Sequence, residues 1–391
     1  MKLGNTLNIK GAVLDKYQLE NYLEKLASEH TLQNKSDKKT YPIPRVQENF
    51  KMITKTYDLL NQHLKLGINI HPAGEWLLDN YYIIEETVKE IIQELPMKKY
   101  VNFLGISTGT YKGYARIYVL ASEIVAYTDG KIDSNNLDGI LKAYQRKKTL
   151  NMEEIWNINV FFKIAIIEKI RNVCETLYFS QIQKYKVENI LERLIENKRK
   201  EERKFLNLPI PENNVYLEEN KYPFIEYMAF RLKKYGKKAS IYIEILEEQV
   251  EKIGTSISEV IKKEHFDIAI KKVSIGNCIK TIQDLQRMNF LEIFEKINGV
   301  EEILREDPAE VYDKMDFKTK DYYRNVIKEL SKKTKISEIY IAKKALELAK
   351  NEKNNEKNKN KKREHIGFYL ISERKKRINA KITTKYFKTR E

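Results

Sequence analysis

The chain has 391 residues, with 72 Lys and Arg against 56 Asp and Glu, a formal charge of +16. Hydrophobic residues make up 42% and aromatics 10%, which excludes a wholly disordered chain, and only 14 Gly and 8 Pro exclude collagen-like or many-turned all-β architectures. A chain of this length suggests two or three globular units or one extended helical assembly, and its Lys, Glu, Ile, Leu and Asn content is that of long amphipathic helices.

Residues 13–32 place Leu14, Leu19, Leu23, Leu26 and Ala27 near one helical stripe. After Tyr41-Pro42-Ile43-Pro44 a second helix is expected from about Arg45 to Leu66, stopped by Gly67. His71-Pro72-Ala73-Gly74 opens the next unit, and Glu75–Leu95 is helical by period up to Pro96. Gly105–Gly113 reads as a loop, Tyr114–Tyr127 as a helix and Thr128-Asp129-Gly130 as a turn. Helices follow at Leu137–Arg146 and Met152–Leu177. The latter is apolar on nearly every face, from Ile155 through Phe161, Phe162 and Ile167 to Val173, and should be central and buried.

A charged helix is expected near Lys184–Arg203. Leu206–Pro223 carries Pro209, Pro211 and Pro223 and reads as the best internal boundary. Beyond it, helices are suggested at roughly 224–235, 239–253, 256–263, 277–287, 289–297, 300–305, 308–314, 318–331 and 336–350. Asp307-Pro308-Ala309-Glu310 has the form of a helix start, with Asp307 as cap and Pro308 in the first turn. Ile241–Ile245 and Ile366–Ile371 are the strand candidates. The expected fold is therefore all-α, a multi-helical array of antiparallel helices with at most a short strand or two and a basic C-terminal tail. Its expected divisions are 1–70, 71–205, a Pro-containing linker at 206–223, 224–350, and a tail at 351–391.

Cys174 and Cys278 each lie in an apolar helical pattern and read as small core residues of a reduced protein, since a disulfide framework needs more sulfur. The N-terminus lacks the apolar core of a signal peptide, and no stretch approaches the ~18–20 apolar residues of a membrane span, so a soluble chain is expected. The charge is concentrated at one end: residues 351–391 hold 14 Lys/Arg against 5 Asp/Glu. Within them Asn351–Arg363 is a low-complexity Asn/Lys run, and Arg374-Lys375-Lys376-Arg377 forms a second basic cluster. Composition leaves three readings open for this tail: a solvated extension, a segment beside an anionic membrane, or a nucleic-acid contact.

Glu75 and Asp79 lie four residues apart on one helix face with Trp76 beside them. Carboxylates and an indole platform are what a sugar site uses, and with Tyr114 and Arg116 they make a candidate glycan or nucleotide-sugar site. The plainer reading is a first-turn acid near the helix dipole, a packed Trp and a hydrogen-bonded Asp. Glu123 and Glu168 fall in strongly apolar helices near Arg116 and Arg171, and buried carboxylates require partners, so Glu123, Glu168 and Arg171 are candidates for a structural ion-pair network. Gly105–Gly113 lacks the spacing of a phosphate-binding loop. Asp129–Ile140 fails as a calcium loop, with Lys131, Ser134 and Ile140 where ligands or Gly are required. His30, His63, His71, His265 and His365 show no metal-ligand spacing. No catalytic residue, metal site or cofactor site is assigned.

Several long signatures carry a family resemblance. They are His71–Pro96 (HPAGEWLLDNYYIIEETVKEIIQELP), Gly113–Gln145 with the Leu150–Leu177 helix that follows, Val273–Leu330, and IGFYLI at Ile366–Ile371. In this order they resemble the N-terminal region of bacterial cyclic β-1,2-glucan synthases, clearly over about 71–177 and 273–371. The resemblance implies a long inner-membrane enzyme that uses UDP-glucose to build and cyclise a β-1,2-glucan, with its transferase motifs beyond Glu391. It also implies that this region is cytoplasmic, at the inner face of the membrane, with the rest of the synthase polypeptide as partner. The basic tail would then meet anionic lipid through Arg374, Lys375, Lys376 and Arg377. UDP-glucose or β-glucan would be indirect partners, no nucleic acid is expected, and no family catalytic residue maps onto the chain. The rival readings are a glycan- or nucleotide-sugar-binding module and a basic helical nucleic-acid binder.

Overall fold

The computed structural model describes residues 13–193, 218–354 and 361–371. Among them are fifteen α-helices and one two-stranded antiparallel sheet, so the fold is all-α. The strands are β1 (Leu32–Gln33) and β2 (Gly105–Ile106). Neither strand candidate from the sequence forms: Ile241–Ile245 lies inside a helix, and Ile366–Ile371 contains a single helical turn. Stretches rich in isoleucine and aromatic residues form strands only where a sheet can accept them. No helix among the described residues is long and apolar enough to cross a membrane. The cluster Arg374–Arg377 lies outside the described residues.

The chain divides into two compact units, each discontinuous in sequence. One contains residues 13–14, Gln33–Asp133 and Asn159–Arg287. The other contains Asp15–Leu32, Ser134–Ile158 and the described residues from Met288 onward.

In the first unit, α2 (Ile43–Lys65) packs on α3 (Pro72–Glu94), and the single turn α4 (Met97–Tyr100) leads into β2 and α5 (Arg116–Tyr127). Ten of the twelve residues of α5 are buried. The centre is the Asn159–Leu191 part of α7 (Met152–Leu191), a 40-residue helix whose continuation past Leu177 absorbs the first part of the separate charged helix expected from Lys184. Val160, Phe161, Phe162, Ile164, Ile166, Ile167 and Ile170 are all buried, as a helix apolar on every face must be. Phe161 meets Phe103 edge-on at 5.2 Å between ring centres and stacks with Tyr118 at 6.1 Å. Both cysteines are buried and free, and burial pushes the Cys278 thiol up to about 12. Gly130 turns the chain at φ +76°, where a Cβ would stand 2.6 Å from the Cys278 sulfur, so this close approach admits only glycine.

The same unit closes with α8 (Glu218–Lys234), α9 (Ser240–Lys252) and α10 (Ile257–Arg287), α8 packing on both of its successors. Phe224, Met228 and Leu232 of α8 share a core with Val187 and Leu191 of α7, Leu246 and Val250 of α9, and Val260 of α10. Two expectations are corrected here. Pro223, expected at the end of the 206–223 linker, is buried near the start of α8, where few intrahelical bonds are lost to it, while Pro209, Pro211 and the rest of that stretch up to 217 lie outside the described residues. Ile257–Arg287 is one helix where 256–263 and 277–287 were expected as two: its middle is half exposed, so its apolar period fades without the helix ending.

In the second unit, α1 (Lys16–Glu29) packs on α6 (Ser134–Gln145), which also meets α11 (Phe290–Ile297). Asp15 and Gln18 form a reciprocal cap on α1, burying Leu19, Leu23, Leu26 and Ala27 against α6. α12 (Gly299–Arg305), α13 (Phe317–Thr334), α14 (Glu338–Lys353) and the turn α15 (Gly367–Leu370) complete it, with Asn298, Asp316 and Ser337 capping α12, α13 and α14. The helix expected at 308–314 is absent. Glu310 takes φ +55°, and only a short 3-10 turn, Tyr312–Lys314, forms. Arg324 and Glu301 are both buried and pair at 2.8 Å, with the Tyr312 hydroxyl donating to the same carboxylate oxygen at 2.8 Å.

Two substitutions test these cores. Phe161→Ala removes the ring at the centre of the first unit and is expected to cost about 3–5 kcal/mol in denaturant unfolding. Arg324→Leu strands the buried Glu301 carboxylate and is expected to destabilise by about 3–5 kcal/mol. Replacing Arg324 and Glu301 together with apolar residues should recover much of that loss.

Candidate functional site

The most concentrated buried polar chemistry lies in the first unit. It is assembled from the end of α2, the α2–α3 connection, the second half of α7, and α8 and α10. On α7, Gln181, Lys184 and Glu188 recur at helical spacing and interrupt an otherwise apolar surface. The Gln181 amide lies 3.2 Å from His63 Nδ1 and donates at 3.3 Å to the Asn69 carbonyl, to which the Lys184 ammonium also donates at 3.3 Å. Glu188 accepts from the Tyr227 hydroxyl at 2.5 Å and pairs with Arg231 at 2.9 Å, tying α8 to α7.

His71 caps α3: its Nδ1 accepts from the Ala73 amide at 3.0 Å, so the neutral ring carries its proton on Nε2. That Nε2 and the Gln181 Oε1 are buried with no hydrogen-bond partner among the described residues. Burial, reinforced by the Lys184 and Lys271 cations, pulls His71 down to about 3. Burial likewise lowers Lys184, against the pull of Glu226 and Glu264. Burial raises Glu226, which Lys184 and His265 partly offset. Glu264, 3% exposed, is pushed up to about 7 by burial, with Lys271 and Lys184 opposing and Asp267 and Glu226 adding to the rise. Burial thus disfavours the charged form of both carboxylates and of the Lys184 amine, and Glu264 is the group it moves to near neutral pH.

A second polar assembly lies in the second unit. Asp307 does not cap a helix. One of its oxygens accepts from His365 Nδ1 at 2.7 Å and from the Val311 and Tyr312 amides, and the other accepts from the Ile366 amide at 3.0 Å. The Tyr323 hydroxyl meets His365 Nε2 at 2.8 Å, so both ring nitrogens are engaged. Burial raises the Asp307 carboxyl, but the bonds from His365 and the backbone outweigh it and hold the group below the usual carboxylate range. A groove of about 730 Å³ runs beside this clamp, lined by Pro308, Val311, Lys353, Lys361, His365 and Phe368 among others.

The residues singled out from sequence fall into separate local roles. Glu75 and Asp79 are exposed on α3, while the Trp76 ring packs over Gly276 of α10. Tyr114 meets Tyr118 at 6.0 Å, and Arg116 is buried at the start of α5. Glu123 accepts from the Tyr111 hydroxyl at 2.7 Å. Glu168 pairs with Arg45 of α2 at 2.5 Å and accepts from Tyr118 at 3.0 Å, whereas Arg171 pairs with Glu175 one turn on at 2.8 Å. Arg45 and the His71–Lys184–Glu264 assembly escaped the sequence reading. Their only signal is polar residues inside or beside apolar helices, which does not say which helices will meet.

No protein-family model matches the chain. It is similar to the cyclic β-(1,2)-glucan synthase NdvB of Rhizobium meliloti (strain 1021), 24% identical over 310 residues. The match covers 79% of this chain but 11% of that synthase, so the chain corresponds to a small part of its relative's length. The resemblance read from the sequence motifs thus extends across most of the chain.

Glu264 gives a pH test. Its carboxyl titrates near 7 in the folded protein against 4.5 ordinarily, so the stability it contributes is fully present below pH 4.5 and lost as pH rises through 7. Glu264→Gln should leave stability little changed at pH 4.5 and raise it by on the order of 2–3 kcal/mol above pH 7.5, measured by urea unfolding. An equal effect at both pH values contradicts this assignment.

Proposed function

We propose that the chain is the N-terminal region of a bacterial membrane-bound cyclic β-1,2-glucan synthase and acts there as a non-catalytic scaffold or regulatory module. In this reading it lies at the cytoplasmic face of the inner membrane, and glucosyl transfer from UDP-glucose takes place elsewhere in a longer polypeptide. The observation that carries it is the 310-residue match that covers most of this chain and a small part of the synthase. The side-chain chemistry supports the non-catalytic part. Glu168 is bound by Arg45 and Tyr118 and Glu301 by Arg324, arrangements that hold helices together, and Glu123 by Tyr111 of the preceding loop. The partners are then the remainder of the synthase and, through Arg374, Lys375, Lys376 and Arg377, an anionic membrane surface. UDP-glucose and β-glucan are indirect partners.

A glycan site on Glu75, Trp76, Asp79, Tyr114 and Arg116 is less well supported, because the Trp76 ring is engaged with α10 while the two acids stand exposed.

Two measurements test the reading. The purified 391-residue chain should transfer no glucose from radiolabelled UDP-glucose, and sustained transfer by it alone overturns the non-catalytic role. An antibody against the chain should detect, in native membranes, a polypeptide several times longer than 391 residues. A native product of this length in the aqueous fraction contradicts the synthase reading.

A further inference from the structure

One face of α10 is apolar and exposed. Phe266, Ile270 and Val273 are 66%, 47% and 57% exposed, and Ala269 between them is exposed as well. At 100° per residue these four positions form one stripe about two turns long. Lys262 precedes the stripe and Lys280 follows it on the same face, roughly 27 Å apart along the helix at 1.5 Å per residue. Lys263 and Lys272 flank it, and all four lysines are exposed. Of the nearby acids, Glu259 is occupied at the helix start by Thr255 and the Ser256 amide, Asp267 lies off the stripe, and the exposed Asp284 shares the face one turn beyond Lys280. The pairing of ring and lysine recurs beside it: the Lys263 ammonium sits 4.4 Å from the Tyr222 ring centre on α8, and Lys234 lies 4.3 Å above the exposed Phe230.

A short apolar stripe bounded by long cationic side chains is complementary to a surface that is greasy beneath and anionic above. Lysine stems can lie along the apolar boundary while their ammonium groups reach phosphate. A protein partner fits less well. Three side chains bury on the order of a few hundred Å², against about 800 Å² per partner in a stable interface, and two turns fall short of the several heptads a coiled coil requires.

We propose that this face of α10 is a peripheral membrane-docking surface, in which Phe266, Ile270 and Val273 enter the headgroup boundary of an anionic phospholipid bilayer while Lys262, Lys263, Lys272 and Lys280 bind its phosphates. These residues are other than Arg374, Lys375, Lys376 and Arg377, and the proposal does not depend on the synthase reading.

The test is sedimentation of the full chain with vesicles of phosphatidylcholine alone and of phosphatidylcholine with phosphatidylglycerol. Binding should require phosphatidylglycerol and weaken with salt. The triple variant Phe266→Ser, Ile270→Ser, Val273→Ser should bind at least about tenfold more weakly, with an unchanged circular dichroism spectrum because these side chains are exposed. A variant with Lys262, Lys272 and Lys280 replaced by Gln should lose affinity and show a shallower salt dependence. A third variant, with Arg374, Lys375, Lys376 and Arg377 replaced by Gln, should keep the sensitivity to the triple serine change. The proposal is overturned if the wild-type chain ignores anionic vesicles, or if the serine variant binds as well as wild type. It is also overturned if the stripe instead mediates a concentration-dependent dimer that the serine variant abolishes.

Discussion

A helix that is apolar around its whole circumference can persist in water only if other segments enclose it. The stretch of α7 from Asn159 to Leu177 imposes that requirement on the first unit. Phe161, Phe162, Ile164, Ile166, Ile167 and Ile170 point in all directions from one axis, and each is buried. Each such side chain contributes about 1.5–3 kcal/mol on leaving water, so a shortfall on any side would leave the helix unsupported. The surrounding helices are themselves marginal alone, since most helical stability comes from packing an apolar face.

Several polar residues that interrupt the apolar surfaces are tied up locally. Lys163, on α7, reaches Glu90 and Glu94 of α3 at 2.9 and 3.5 Å. Glu168 is held by Arg45 and Tyr118, and Gln181 and Lys184 are held by the Asn69 carbonyl. In the second unit Glu301 and Arg324 do the same among α12 and α13, and Asp307 gathers His365 and three backbone amides. Such groups add little net stability over apolar packing, but each is costly when mismatched, so they select one arrangement of helices. Around His71 the pairing is incomplete, since His71 Nε2 and Gln181 Oε1 have no partner among the described residues, and burial there disfavours the charged forms of Glu226, Glu264 and Lys184.

The periodic helices were legible from residue spacing alone: α1, α2, α3, α5, α13 and α14 lie within a few residues of their expected positions. So was the buried character of the Met152–Leu177 stretch. The misses have specific physical causes. Ile241–Ile245 has the composition of a strand but no sheet to join. Asp307-Pro308 has the form of a helix start, yet the Asp307 carboxylate is drawn to His365 and Ile366, nearly 60 residues away, and Glu310 turns left-handed. Pro223 looks like a boundary until its place in the opening turns of α8 is known. The polar assembly around His71 could not be read at all, because His63, Lys184, Glu226 and Glu264 sit on four different helices and nothing local reveals that they converge. The family-like motifs, by contrast, were legible without any structure, as they depend on the order of residues and not on who touches whom.

In the first unit, shape rests on the buried apolar stretch of α7. Native-state hydrogen exchange across the first unit tests this most directly. The amides of Val160–Ile170 should be the slowest, opening only with global unfolding, while those of α9 exchange through local opening. If Val160–Ile170 exchanges as fast as α9, α7 is not the axis on which this unit is built.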